Sequence, residues 1–141
     1  MKALLLAPCL ALLIGLTGCT KKNYYTNPGV TFQATAAATD WKLDNTSNSY
    51  VLSINTPELN NYAADNYAVV VSISYPDATT GQSTGVYETI PEVYQNISYS
   101  YTYNAGNISI YAQGADGSVL SASPGAMTIK VAIIPSTAEA S

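Results

Sequence analysis

From Val69 to Tyr75 the side chains alternate: Val69, Val71, Ile73 and Tyr75 form one set, with Ser72 and Ser74 between them. The same period of two runs through Tyr50, Leu52 and Ile54, through Tyr99, Tyr101 and Tyr103, and through Ile108 and Ile110. It returns in Met127, Ile129, Val131 and Ile133. Side chains of a strand point alternately to its two faces, so this pattern builds half-buried strands and cannot place one apolar stripe on a helix. Shorter pieces fit the same reading: Val30 to Ala36, Trp41-Lys42-Leu43, and Val86 to Ile90 before Pro91. Ala34 to Ala38 is mixed with Thr and too short for a stable helix. Turn residues fall between the runs, at Pro76-Asp77 with Gly81 and Gly85, at Asn104-Ala105-Gly106-Asn107, at Gly114-Ala115-Asp116-Gly117 and at Pro124-Gly125. Short strands at this spacing, with no helical crossover, make an all-β antiparallel sandwich or a barrel. The expectation is a two-sheet sandwich, immunoglobulin-like or similar, of seven to eight strands over residues 29–135.

The first nineteen residues obey a different rule. Lys2 supplies a positive start, and Leu4 to Leu16 is apolar but interrupted by Pro8. A membrane span needs about 20 apolar residues, whereas the core of a secretory signal needs about 7–15. The run ends in Leu16-Thr17-Gly18-Cys19, which resembles the bacterial lipoprotein box. That resemblance implies cleavage after Gly18, diacylglycerol on the Cys19 sulfur and a further acyl chain such as palmitate on the new amino group. Each buried CH₂ contributes about 0.8 kcal/mol, so several chains would hold the protein on a bilayer. Residues 1–18 are then a cleaved signal peptide, 19–28 a lipidated tether and 136–141 a tail. Thr20 stands where an inner-membrane retention signal has Asp. The expected address is therefore the outer membrane, on its periplasmic face or at the cell surface.

Cleavage leaves 123 of the 141 residues and moves the formal charge from −4 to −5 by removing Lys2. Cys9 leaves with the signal and Cys19 is taken by lipid, so neither a thiolate nor a disulfide is expected in the mature chain. The sequence has no His, which excludes imidazole metal ligands and a His-based triad. With only five basic residues against nine acids, no nucleic-acid partner is expected. Nine Val, nine Ile and fourteen Thr remain against four Leu, together with all twelve Tyr. That composition suits pleated surfaces.

From Trp41 to Pro135 the chain resembles short β-sandwich lipoproteins of Bacteroidota that have no assigned function. The matching pieces are Trp41, Tyr50 to Leu59, Ala68 to Val71, Val86 to Pro91, Tyr101 to Ile110 and Met127 to Pro135. Tyr87 departs from the pattern, which has Trp there. The resemblance implies a sandwich fold and an envelope address. It supplies no catalytic residues or cofactors.

The Tyr99, Tyr101, Tyr103 ladder is the foremost candidate ligand site. Three rings on an exposed face would stack a sugar; on the other face they would line the core. Hairpin parity decides. An even turn sets Tyr103 across from Ile108 and Tyr101 from Ile110, which is the core side. An odd turn sets Tyr101 across from Ser109 and exposes the rings. Glu88 with Glu92, and Asp40 with Asp44, are carboxylate pairs of the kind glycoside hydrolysis uses. Their spacing in sequence does not place them together in space. Asp77, or Asp40 with Asp44, offers oxygen ligands for Ca²⁺, but no Asp-x-Asp-x-Asp-Gly loop is present. Asn45, Asn96 and Asn107 open N-glycosylation patterns in an Asn/Ser/Thr-rich chain, and Trp41 reads as a core plug. The expected role is a non-catalytic binding module, with no metal and no cofactor, whose partners are membrane lipid through Cys19 and an envelope protein or glycan. The alternatives are a structural envelope lipoprotein without a ligand and, more remotely, a hydrolase.

Overall fold

The computed structural model describes residues 29–136. The signal peptide, Cys19 and the tether to Pro28 lie outside the described residues, as do residues 137–141.

The chain folds into two packed antiparallel sheets. The first holds β1 (Val30–Ala36), β9 (Met127–Pro135), β4 (Tyr67–Ser74) and β5 (Glu88–Thr89), in the order β1-β9-β4-β5. The second holds β2 (Lys42–Asp44), β3 (Ser49–Thr56), β8 (Gly106–Gly114), β7 (Ile97–Asn104) and β6 (Glu92–Tyr94), in the order β2-β3-β8-β7-β6. The sandwich thus forms as the alternation dictates, with nine strands among the described residues rather than seven or eight. The strand read at Val86 to Ile90 divides. Only Glu88–Thr89 pairs with β4, and after Pro91 the chain joins the other sheet as β6.

The alternating sets meet between the sheets. Val69, Val71, Ile73, Ile129, Val131 and Ile133 face Leu52, Tyr99, Ile108, Ile110 and Ala112, all buried. Trp41 is buried with them and its Nε1 donates to the Gly125 carbonyl at 3.1 Å, the role of a plug. One helix escaped the periodicity reading. α1 (Asn61–Asn66) is six residues long, too short to show a stripe, and is held by Asn60, whose side chain accepts from the Ala63 N–H at 2.9 Å. Among the described residues no helix is long and apolar enough to cross a membrane.

Strand direction divides the sandwich into two ends. β1 enters at Val30, beside Ile133, and β4 enters at Tyr67, beside Pro135. α1 lies at this end, and so does the Ala105-Gly106 turn, whose Gly106 N–H donates to Leu59 O at 2.7 Å. This is the end where the segment from Cys19 joins. The opposite, distal end carries the Pro76–Tyr87 loop, the Gln95-Asn96 turn and the 115–126 loop.

Candidate functional site

The β7–β8 turn settles the parity question. Asn104 pairs with Asn107, Tyr103 with Ile108 and Tyr101 with Ile110, so the turn is even. Gly106 adopts a φ of +82°, as the third position of a type II turn requires. The tyrosine ladder therefore lies on the core side, and the exposed-platform alternative is corrected. Its rings are graded along the strand. Tyr99 is 2% exposed, Tyr101 is half-buried, and Tyr103 at the tether end is 38% exposed. Tyr101 Oη donates to Val69 O at 2.6 Å, and its ring lies 6.4 Å from that of Tyr103 at 22°. Tyr99 offers no free face to a ligand.

What Tyr99 does instead is floor a second aromatic group at the distal end. The inward set of β4 continues one residue past the strand to Tyr75. The β6–β7 pairing sets Glu92 across from Tyr99 and Tyr94 across from Ile97. Tyr75 and Tyr94 stack at 3.8 Å and 10°, and Tyr75 meets Tyr99 at 5.6 Å and 55°. Tyr75 Oη donates to Glu92 Oε1 at 2.6 Å. A hollow of about 230 Å³ opens here, lined by Tyr75, Pro76, Tyr94, Gln95, Tyr99 and Pro124 among others. Gln95 and Asn96, with φ of 47° and 65°, form the tight turn that brings Tyr94 to the rim. Gln95 Nε2 donates to Tyr94 Oη at 3.2 Å.

The electrostatics of this group follow from burial. Desolvation, with the nearby Glu92 charge adding to it, pushes the Tyr99 hydroxyl up to about 12. Burial, followed by the hydrogen bond to Glu92, pushes Tyr75 up as well. Both phenols stay protonated in neutral water, and Tyr75 acts as a donor, not as a base. Sequence reading placed Tyr75 inward but did not join it to Tyr94, Glu92 and Gln95. The signal that could have joined them is Tyr94-Gln95-Asn96, a turn with a ring at its base.

The other candidates disperse. Glu92 is engaged by Tyr75, while Glu88 is exposed on β5. Asp77 accepts from the N–H groups of Thr79 and Thr80 and from the Thr80 hydroxyl, and these bonds hold its carboxyl below the usual range. Asp44 accepts from Thr46 N–H and Ser47 Oγ, with the same effect. Asp40 accepts from the Ala37 N–H at 2.8 Å. Each carboxylate closes its own turn. Among the described residues no three Asp, Glu, Cys or His side chains gather around a possible metal position. Tyr87, the departure from the lipoprotein pattern, lies over β9, with Lys130 Nζ 3.6 Å from its ring centre.

No family model, curated protein or solved structure matches the chain.

Proposed function

We propose that the protein is a lipid-anchored lipoprotein of the cell envelope, held by acylated Cys19, whose sandwich is a non-catalytic binding module for an envelope protein or glycan. The observation that supports this reading is the tyrosine-lined hollow at the distal end, opposite the end that Gly29 and the tether enter. A domain held by one end to a membrane presents the other to its surroundings. There the site offers the half-buried ring of Tyr94 over buried Tyr75 and Tyr99, with an amide and a phenol at its rim for hydrogen bonds. Its one carboxylate is occupied by Tyr75, which suits recognition better than proton transfer.

Two measurements test the reading. Cys19→Ala should abolish acyl-chain labelling and release the protein from membranes; unchanged labelling and retention would refute the anchor. A photo-reactive residue at Gln95, compared with one at Asn61 on the tether end, tests the site. A specific product from Gln95 that is lost in Tyr94→Ala supports it. Identical products from both positions, unaffected by Tyr94→Ala, would leave a structural lipoprotein without a ligand.

A further inference from the structure

The tyrosine-lined hollow has a neighbour. A second hollow at the distal end, of about 220 Å³, shares Pro76 as a wall with the first, of about 230 Å³. The strand register sets Ser74, Thr128 and Thr35 in one row across β4, β9 and β1, out of phase with the buried Ile73 and Ile129. This row lines the second hollow, and Gln82 and Ser83 of the loop after β4 face it. Ser83 Oγ lies 2.8 Å from Ser74 Oγ. Among the described residues the Thr35 and Thr128 hydroxyls and the Gln82 side-chain amide carry no hydrogen bond. One hollow is therefore aromatic and the other is hydroxylic.

The floor of the aromatic hollow holds a polar group that the fold itself does not use. Tyr99 is 2% exposed. Among the described residues its hydroxyl has no partner, whereas Tyr75 and Tyr101 each donate across the sandwich. No side-chain polar atom sealed from solvent lacks a partner among those residues, so the Tyr99 Oη opens to the hollow that its ring lines. A ligand that displaces water from this position must reproduce its hydrogen bond. That excludes an apolar group and requires an oxygen acceptor.

Charge narrows the class further. No charged side chain lines either hollow. Glu92 is taken by Tyr75, and Asp77 closes its own turn. The two lysines among the described residues are engaged elsewhere, Lys130 over Tyr87 and Lys42 with the Thr39 carbonyl. An anion finds no counter-charge here. A cation finds no free carboxylate, and Tyr94 covers one face of Tyr75 at 3.8 Å. Each hollow is smaller than the roughly 300 Å³ at which sites for drug-sized molecules begin, so each suits one small ring. Hydroxyls and amides both donate and accept, as the hydroxyls of a sugar require.

We propose that the distal end binds an uncharged glycan chain through two consecutive sugar units, one in the aromatic hollow over Tyr99 Oη and one in the hydroxylic hollow, with the link between them crossing Pro76. This rests on the reading of the sandwich as a binding module, and it does not depend on the anchor at Cys19.

The test is an array of uncharged and acidic glycans, one to six units long, probed with the labelled full chain in detergent. Retention should be confined to uncharged glycans, and two linked units should bind at least about tenfold tighter than one, the worth of one or two net hydrogen bonds. Tyr99→Phe keeps the ring and should weaken one-unit and two-unit ligands alike, by about two- to tenfold. Thr128→Val keeps the branched shape and should weaken two-unit ligands only; Thr35→Val should do the same if that variant does not fold. Equal retention of acidic glycans, or no retention of any uncharged one, would overturn the proposal. Two units binding no tighter than one would overturn the pairing of the hollows. A protein cross-linked from Gln95 and lost in Tyr94→Ala, with the array silent, would overturn the glycan and leave the binding module standing. Silence in both experiments would overturn the two together.

Discussion

The buried tyrosines couple stability to alkaline pH. Tyr99 is 2% exposed and its hydroxyl ionises near 12, against 10.0 for an ordinary phenol. Between those values the folded chain keeps a proton that the unfolded chain has lost. The contribution of Tyr99 is therefore whole below pH 10 and falls as the pH climbs towards 12. Each unit of difference is worth about 1.4 kcal/mol, so the loss from this ring is on the order of 3 kcal/mol. Tyr75 is displaced in the same direction by burial and by its bond to Glu92, and it adds to the effect. A domain of this size holds roughly 5–15 kcal/mol in all, so the loss is measurable. The assay is tyrosinate absorbance as a function of pH, in buffer and in concentrated urea, with circular dichroism recorded alongside. In buffer a late group should ionise only as the sheet signal is lost. Tyr99→Phe should shrink that group by one ring and flatten the fall of stability above pH 10. If all twelve Tyr ionise together near pH 10 while the sheet signal persists, the burial argument is wrong.

Other substitutions probe separate parts of the sandwich. Ile110→Ala empties a fully buried position and should cost about 2–5 kcal/mol in urea unfolding. Tyr75→Phe keeps the stacked ring but removes the donor to Glu92, and should cost about 1.5–3 kcal/mol; in a Glu92→Gln background the cost should shrink. Gly29→Ala would set a Cβ 2.8 Å from the Ile133 carbonyl oxygen, so the start of β1 must shift, and its amides should exchange faster than those of β9. Asp77→Ala removes the acceptor that closes the loop after β4. Exchange at Thr79 and Thr80 should quicken while the global unfolding midpoint stays where it was.

The period of two is a local property and was fully legible. β1 runs over Val30–Ala36 as read, and every inward set named from the sequence faces the core. Whatever depends on pairing between distant segments was not legible. The even turn at Ala105-Gly106 became certain only from the register, because both parities fit the residues. Val86 to Ile90 alternates like a strand, yet its chain leaves one sheet for the other at Pro91, where few cross-strand partners are in reach. The distal hollow joins Tyr75 to Tyr94 and Tyr99 across two sheets, and no spacing in the chain encodes that meeting. α1 is set by a single Asn60 cap, a signal below the threshold of any periodic pattern.

The excess of tyrosine, twelve against one Phe, has a physical reason in this architecture. Facing sheets lie only about 10 Å apart, so a long ring that starts on one reaches the far wall of the core. A phenol carried there must find an acceptor, and two do so across the sandwich. Tyr101 of the second sheet donates to Val69 O in the first, and Tyr75 at the end of the first donates to Glu92 in the second. Phe could fill the same space without joining the sheets. Disulfides are expected to be absent from the mature chain, and only 10% of residues are charged. These hydroxyls therefore supply directional links that apolar packing cannot. The same choice leaves polar atoms where rings emerge at the rim, as at Tyr94 beside Gln95. A core built from tyrosine thus grades into a surface able to bind, with no change of residue type.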